Sequence, residues 1–226
     1  MKKLLEEKIK KAYLIIGEAT KKFKKNEVVI AWTGGKDSTV VLHLVRTYFN
    51  GWIPFKVMFN DSTMEFQEIY NFVAQIKKQW NLDLIIEKHS SDDMKRFYKE
   101  NDLEKKKEMS RIMKINAINN FLKEYDVDAF IVGIRRDEHQ ARSKEKYFSQ
   151  RKNHVRIHPI LDFTEKDVWD YTNKYKVPYV SLYKKGYRSL GEKPFTNKAV
   201  QGGTERSGRE YDKEKTMEKL RNMGYW

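Results

Sequence analysis

Residues 28–44 read VVIAWTGGKDSTVVLHL. The five mostly apolar residues 28–32 have the composition of a buried β-strand, and the apolar spacing after the polar hexapeptide TGGKDS, residues 33–38, is that of an α-helix. Gly34 and Gly35 allow the backbone to turn sharply and to approach a ligand closely. The start of the helix offers free N–H groups and the positive end of its dipole. The stretch therefore predicts a phosphate-binding loop between a strand and a helix.

The side chains of the hexapeptide fit the same prediction. Lys36 adds a positive charge, and Thr33 and Ser38 add hydroxyl donors. Asp37 is interpreted either as the N-cap of the helix or as a partner of a metal ion that the phosphates carry. The spacing differs from G-x-x-x-x-G-K-[ST], so a Walker-type fold is not indicated.

The rest of the chain alternates between strand and helix patterns. After 28–32, further strands are predicted at 55–59, 82–87, 129–133 and 155–157. Helices are predicted at 2–24, 38–49, 65–80, 109–125 and 164–175, the last with Thr164 as N-cap. Residues 90–107 are predicted as a short helix and a mobile loop, 184–210 as a loop, and 213–223 as a last helix.

This alternation predicts an α/β fold with a doubly wound, mostly parallel five-stranded sheet. Ligands of such sheets bind beyond the carboxyl ends of the strands, at a switch point in strand order. We expect residues 1–183 to form the nucleotide-binding domain. Residues 184–226 are expected to form an irregular C-terminal tail, a loop and a short helix, packed on the same domain.

Composition narrows the classes of function. A net charge of +14 should attract anions such as nucleotides, sulfate, RNA or an acidic protein. No apolar run is long enough to span a membrane, and the amino terminus, which carries acidic residues and a helical period, is unlike a signal peptide, so a cytoplasmic protein is expected. The chain has no cysteine, which excludes disulfides, thiolate metal sites and a catalytic thiol.

A cluster of arginines follows the strand predicted at 129–133. Gly133 ends this strand, and Arg135, Arg136 and Arg142 come next. Arginine forks donate two parallel hydrogen bonds, which suits sulfate and phosphate. Asp61, after the second strand, is expected to touch ribose or adenine, with an ordinary loop aspartate as the equal alternative.

The hexapeptide TGGKDS resembles the SGGxDS signature of the PP-loop ATP pyrophosphatases and their sulfonucleotide relatives, with Thr33 in place of serine. The resemblance implies an adenine-nucleotide alpha-hydrolase-like fold, with ATP and Mg²⁺ as cofactors. It implies that residues 33–38 hold the β,γ-pyrophosphate of ATP while the α-phosphate is attacked. No protein residue is predicted as a firm metal ligand, although Asp37 could contact Mg²⁺ bound to ATP.

Three further segments resemble members of this superfamily. Residues 133–149, GIRRDEHQARSKEKYFS, resemble the small subunit of the two-subunit bacterial sulfate adenylyltransferases and, over a shorter pattern, phosphoadenylylsulfate reductases. Residues 155–191 resemble both families and the FAD synthases. Residues 204–226, with their E-R-x-G-R stretch, resemble the carboxyl end of the adenylyltransferase subunit. The chain is shorter than that family between Tyr183 and Arg188, so a GTPase partner subunit or a homo-oligomer stays open.

The favoured function is adenylyl transfer from ATP to sulfate. The resemblance implies that Lys36, the loop N–H groups and Mg²⁺ hold the leaving pyrophosphate and that Arg135, Arg136 and Arg142 hold the acceptor. Thiol-based reduction is chemically excluded, because Gly191 is followed by Glu192 where the reductases have cysteine.

Three alternatives stay open beside sulfate adenylylation. FMN could be the acceptor, as in the FAD synthases. A tRNA base is less expected, since no RNA-binding motif accompanies the positive charge. The chain could also be a nucleotide-binding subunit without catalytic activity.

Overall fold

The computed structural model describes residues 2–209 and Arg221. Six strands form one sheet in the order β3-β2-β1-β4-β6-β5. The strands are β1 Val28–Ala31, β2 Lys56–Asp61, β3 Leu84–Lys88, β4 Ala129–Ile131, β5 Phe148–Gln150 and β6 Val155–Ile157. The α-helices of the described residues 2–209 are α1 Lys2–Lys22, α2 Lys36–Tyr48, α3 Gln67–Gln79, α4 Ser91–Lys99, α5 Leu103–Glu124 and α6 Glu165–Lys174.

The sheet is mostly parallel, and it has one strand more than the five predicted. All five predicted strands are present and pair in parallel. The additional strand, β5, pairs antiparallel with β6, so that Phe148 lies opposite Ile157 and Gln150 opposite Val155. The expectation of a five-stranded sheet is therefore corrected to six. β5 has only three residues in a strongly charged segment, too few to produce a recognisable alternation.

Helices cover both faces of the sheet. On one face, Val28 and Ile30 of β1 belong to a core shared with α1, α2, α3 and α6. On the other face, Val29 of β1 and Phe130 of β4 pack with Phe121 of α5. Successive residues of a strand point to opposite faces, which is why neighbours in β1 enter different cores. The arrangement is the doubly wound α/β architecture that the sequence predicts.

The helix ends agree with the predictions at α6 and differ at α2. Thr164 is the N-cap of α6, and its hydroxyl accepts a hydrogen bond from the Asp167 N–H at 3.1 Å. Helix α2 begins at Lys36, two residues earlier than predicted, with Gly35 as N-cap. Asp37 consequently lies in the first turn, and its interpretation as an N-cap is wrong.

Residues 90–107 contain more helix than predicted. Ser90 caps α4 by accepting from the Asp93 N–H at 3.1 Å, and Asp102 caps α5 by accepting from the Lys105 N–H at 2.9 Å. The expected loop is reduced to the few residues between these helices because each cap starts a new helix. Within residues 184–209 the backbone is irregular, with a short 3₁₀ turn at Lys193–Phe195. The helix predicted at 213–223 lies outside the described residues, except for Arg221.

The strand order places a switch point between β1 and β4. The chain passes from β1 to β2 and β3 on one side of the sheet centre, whereas β4 and β6 lie on the other side. The loops after β1 and β4 therefore diverge at the same edge of the sheet, which is where ligands of open α/β sheets bind. No helix within the described part of the chain has both the length and the apolar character needed to cross a membrane.

Candidate functional site: a cavity at the carboxyl ends of β1 and β4

The loop after β1 is tightly wound and held by its own hydroxyl groups. Gly34 has a φ of 73°, in the left-handed region that favours glycine. The Thr33 hydroxyl accepts a hydrogen bond from the Gly35 N–H at 3.3 Å, and the Ser38 hydroxyl donates to the Gly35 carbonyl at 3.1 Å. Thr33, Gly35, Lys36, Asp37 and Ser38 all line one cavity, so the structure brings together most of the predicted loop site.

Gly133 joins the end of β4 to this loop. A Cβ atom at Gly133 would lie 2.8 Å from the Ser38 nitrogen and 3.0 Å from the Asp37 carbonyl carbon. Only glycine lets the two backbones approach this closely. The predicted binding residue Gly133 thus lines the cavity and also fixes the distance between β4 and the first turn of α2.

The cavity has a volume of about 270 Å³ and lies between the strand ends and α5. One part of its wall is apolar, and includes Ala31, Met58, Phe130 and Val132. The other part is strongly basic. Its cationic lining residues among those described are Lys36, Lys114, Arg142, Arg156, Arg206 and Arg209. A cavity lined by both apolar and cationic side chains suits a ligand that carries a flat ring and several negative charges.

Lys36 is buried and surrounded by oxygen atoms. Its ammonium group donates to Asp37 Oδ2 at 3.0 Å, to the Arg188 carbonyl at 3.0 Å and to the Glu205 carboxylate. Burial alone would lower the pKa of Lys36, but Asp37 and Glu205 raise it above its usual value. The side chain is therefore a permanent cation at the start of α2.

Arg135 is fully buried, and every side-chain nitrogen has a carboxylate partner. Nε donates to Asp37 Oδ1 at 2.7 Å, and the two terminal nitrogens donate to Asp137 and Glu205 at 2.5 Å each. The guanidinium group stands behind Lys36 and orients the acidic groups that surround it. Its predicted role as an acceptor ligand stays a prediction, although each of its three side-chain nitrogens already donates to a carboxylate.

The other two predicted arginines lie in different places. Arg142 lines the cavity and forms an ion pair with Glu138. Arg136 turns away towards Asp162 and donates to the Glu145 carbonyl at 2.8 Å, and its guanidinium lies 5.6 Å from the centre of the Tyr147 ring. Of the three arginines singled out in the sequence, Arg142 has the position best suited to contact a ligand in the cavity.

Asp61 and Gly34 do not contribute to the lining of the cavity. Asp61 ends β2, and its carboxylate accepts hydrogen bonds from the Tyr70 hydroxyl at 2.7 Å and from the Thr63 N–H at 2.8 Å. Gly34 faces α3, where a Cβ would lie 3.1 Å from a methyl group of Ile69. Their predicted contacts with a nucleotide stay predictions, and both residues have a structural role in the loops that carry them.

Several cavity residues were not singled out as ligands from the sequence. Arg156 on β6 is almost fully buried, with its guanidinium 5.0 Å from the centre of the Phe130 ring. Burial and the neighbouring Arg151 lower the pKa of Arg156 to about 9. The sequence feature that could have indicated Arg156 is its position as the one charged residue in a short, otherwise apolar strand. Arg206 and Arg209 line the cavity and come from the E-R-x-G-R stretch, whose Glu205 pairs with Lys36, and nothing in the local pattern predicts these positions.

Three carboxylates, those of Asp37, Glu138 and Glu205, come close enough to hold a metal ion. One oxygen of each lies within 4.8 Å of the others. Each of the three is already paired with one or two cationic side chains, namely Lys36, Arg135, Arg142 and Arg206. In this arrangement the group does not fit a magnesium site, because the bound cations occupy the oxygen atoms that Mg²⁺ would need.

Comparison with known proteins places the chain in a family. Residues 27–198 match the model of the phosphoadenosine phosphosulfate reductase domain, and the chain belongs to that family. Among curated relatives, sulfate adenylyltransferase subunit 2 of Hahella chejuensis is 31% identical over 181 residues, which cover 69% of this chain and 59% of that protein. The same subunit of Buchnera aphidicola is 30% identical, covering 62% and 55%. The chain thus spans less than two thirds of these relatives.

Solved structures share the fold. A phosphoadenylyl-sulfate reductase from Candida auris, in complex with phosphate, superposes with a TM-score of 0.70 at 18% identity, covering 87% of this chain and 98% of that one. An FMN adenylyltransferase from Candida glabrata, bound to FMN and an ATP analogue, gives 0.69 at 21% identity, covering 88% and 67%. At these identities the likeness establishes the α/β architecture alone.

Proposed function

We propose that the chain is a nucleotidyltransferase that binds ATP in the cavity and transfers its adenylyl group to sulfate, releasing pyrophosphate. The observation that carries the proposal is that one cavity is lined both by apolar side chains and by several cations, among them Lys36. ATP has matching parts, a flat base and a charged triphosphate. The sulfate adenylyltransferase subunits among the relatives support sulfate as the acceptor.

The reaction is a displacement at the α-phosphorus. A sulfate oxygen forms the new bond to phosphorus, the bond between the α-phosphorus and its bridging oxygen breaks, and the bonding electrons leave with pyrophosphate. Sulfate is fully ionised near neutral pH, so the protein needs no general base. Its contribution is to position the two anions and to balance their charge.

The residues divide these tasks by position. Lys36 and the backbone N–H groups at the start of α2 hold the pyrophosphate portion, since a helix amino terminus is suited to phosphate. Arg142, which also lines the cavity, holds the acceptor, because a guanidinium fork matches an oxyanion. Mg²⁺ would enter bound to the phosphates of ATP rather than to a protein site.

Reduction of a sulfonucleotide by an enzyme thiol is not part of the proposal. The chain contains no cysteine. Glu192 stands where the reductases that the sequence resembles have their cysteine, and it is engaged in other contacts. One oxygen of Glu192 pairs with Lys114 at 3.0 Å, and the other accepts from the Ser110 hydroxyl at 2.6 Å. This position therefore supports the shape of the cavity wall through Lys114.

The acceptor and the partner subunit are tested together. Pyrophosphate release from Mg-ATP is measured with sulfate, FMN or tRNA as acceptor, with the chain alone and after addition of a GTPase subunit from a related sulfate adenylyltransferase. We expect release that depends on sulfate and yields adenylylsulfate. Release that depends on FMN and yields FAD, or on tRNA, would contradict sulfate as the acceptor and leave ATP cleavage in place.

A further inference from the structure

Glu205 places a carboxylate group inside the phosphate-binding loop. It accepts hydrogen bonds from the ammonium group of Lys36 and from a terminal nitrogen of Arg135, the latter at 2.5 Å. The side chains of Lys36 and Arg135 are 1% and 0% exposed, and Glu205 shares both of them with Asp37, which belongs to α2 itself. An anionic group thus already occupies the position where Lys36 would meet a phosphate.

A second protein oxygen occupies the backbone part of the same loop. The Tyr183 hydroxyl accepts a hydrogen bond from the Lys36 N–H at 2.8 Å. This N–H belongs to the first turn of α2, where such groups have no partner within the helix and are available to phosphates. Tyr183 therefore satisfies the backbone donor of Lys36, while Glu205 and the Arg188 carbonyl share its ammonium group with Asp37.

The segment that carries Glu205 is docked through polar contacts. The Asn197 N–H donates to the Gly208 carbonyl at 2.9 Å, and Arg188 donates to the Gly203 carbonyl at 2.7 Å. Arg209 reaches over Gly191 to the Leu190 carbonyl. No apolar side chain of residues 200–209 belongs to the buried core, and Val200 is 63% exposed. Segments held in this way open locally at low cost in free energy.

We propose that Glu205 is an internal competitor for phosphate, and that the polyphosphate portion of the nucleotide displaces it when ATP binds. The inference rests on the proposed function only in taking residues 33–38 as a phosphate site. The displacement follows from electrostatics. Asp37 and Glu205 already share Lys36 and Arg135, so a phosphate group added beside both carboxylates would leave the two cations outnumbered by anions in a buried site, where like charges repel strongly. Residues 203–209 therefore have two positions, one docked in the loop and one released by the ligand.

This competition has a measurable cost for ligand binding. If the docked position is the major one, the apparent affinity for phosphate is reduced by the fraction of molecules in which the site is open. Removing the charge of Glu205 should remove that cost. If Glu205 instead positions Lys36 for catalysis, removing its charge should leave Lys36 less well oriented, and binding should weaken. The two roles therefore predict changes of opposite sign.

The test is the affinity for inorganic pyrophosphate and for a non-hydrolysable ATP analogue, measured by calorimetry without sulfate. Glu205→Gln, which keeps the size of the side chain, should bind both ligands about tenfold more tightly than the parent protein. Glu68→Gln serves as the matched control, because Glu68 pairs with Lys185 on the surface outside the cavity. It should bind within about twofold of the parent, the usual range for surface substitutions.

Hydrogen exchange of the Asn197 N–H supplies a second readout, which does not depend on any variant folding well. In the parent protein, pyrophosphate should speed its exchange, because the bond to Gly208 opens with the segment. Unchanged or weaker binding by Glu205→Gln, or slower exchange on adding pyrophosphate, would overturn the inference while leaving the proposed ATP site intact. Failure of the parent and both variants to bind either ligand would overturn the inference and the ATP site together.

Discussion

Gly133, two residues after β4, lies against Ser38 in the first turn of α2, so close that a Cβ on Gly133 would be 2.8 Å from the Ser38 nitrogen. The contact links the two loops that diverge at the switch point of the sheet. It also limits the distance between residues 33–38, the proposed phosphate-binding loop, and the strand that leads to Arg142. The geometry of the site therefore depends on the absence of a single side chain.

Replacing Gly133 with alanine should separate these two elements. We expect Gly133→Ala to lower the free energy of unfolding by about 1–3 kcal/mol, the usual cost of an overpacked contact, and to weaken binding of ATP. Urea denaturation and calorimetry measure the two effects. Gly17→Ala in α1 is the matched control, since its Cβ would meet only the end of the half-exposed Tyr48 side chain. A Gly133→Ala protein with parental stability and affinity would contradict the role of this contact.

Arg142 and Arg136, which both follow β4, should differ in function because the Arg142 side chain lines the cavity and the Arg136 side chain points away from it. Arg142→Ala should raise the sulfate concentration needed for half-maximal pyrophosphate release by about tenfold to hundredfold, with little change in ATP affinity. Arg142→Lys should recover little, since an ammonium group lacks the planar fork. Arg136→Ala, whose guanidinium faces Asp162 and the Glu145 carbonyl, should keep nearly parental acceptor kinetics. Steady-state kinetics would contradict this assignment if Arg136→Ala lost sulfate dependence and Arg142→Ala kept it.

Arg156 should contribute to function at the expense of stability. Its guanidinium group is buried against Phe130, and burial lowers the pKa of Arg156 to about 9. The substitution Arg156→Met puts an apolar side chain in its place and so removes a charge that is unfavourable in a buried position. We expect the free energy of unfolding to stay equal or to rise by about 1–2 kcal/mol, while affinity for the anionic substrates falls about tenfold. A variant that unfolds more easily and binds its substrates normally would show that Arg156 is a structural residue.

Two histidines beside β6 predict how stability depends on pH. Burial lowers the pKa of His154 to about 3 and that of His158 to about 4, below the ordinary 6.5. The unfolded chain therefore binds more protons than the folded protein between pH 6.5 and pH 4, and stability should be lost as the pH falls through this window. For His158 the loss is on the order of 2–3 kcal/mol. Denaturation at several pH values should give a shallower slope for His158→Gln, and an unchanged slope would contradict this cause.

Local sequence patterns were sufficient to predict the centre of the fold. The run from Val28 to Leu44 combines a strand, two glycines and a helix start, and each of these follows from the residues themselves. β5 was missed because three residues within a charged segment do not form a period. The start of α2 was placed two residues late because Lys36 and Asp37 resemble loop residues in composition, although Gly35 is the N-cap.

The rest of the site depends on long-range contacts. Glu205 is 169 residues from Lys36 along the chain, and Tyr183 is 147 residues away. Such approaches follow from the packing of the whole domain, and no local period encodes them. The direction of the arginine side chains is likewise set by their neighbours. Arg135 turns inward to Asp37 and Glu205, and Arg136 turns outward to Asp162, although the two are adjacent and chemically identical.

The most direct measurement is the reverse reaction, in which adenylylsulfate and pyrophosphate are converted to ATP and sulfate. This direction needs no input of energy, because a phosphosulfate anhydride is replaced by a more stable phosphoanhydride. We predict that the purified chain forms ATP, detected by luciferase, that Lys36→Ala abolishes the reaction, and that the surface variant Lys185→Ala retains it. Absence of ATP formation by a folded chain that makes FAD from ATP and FMN would contradict adenylyl transfer to sulfate.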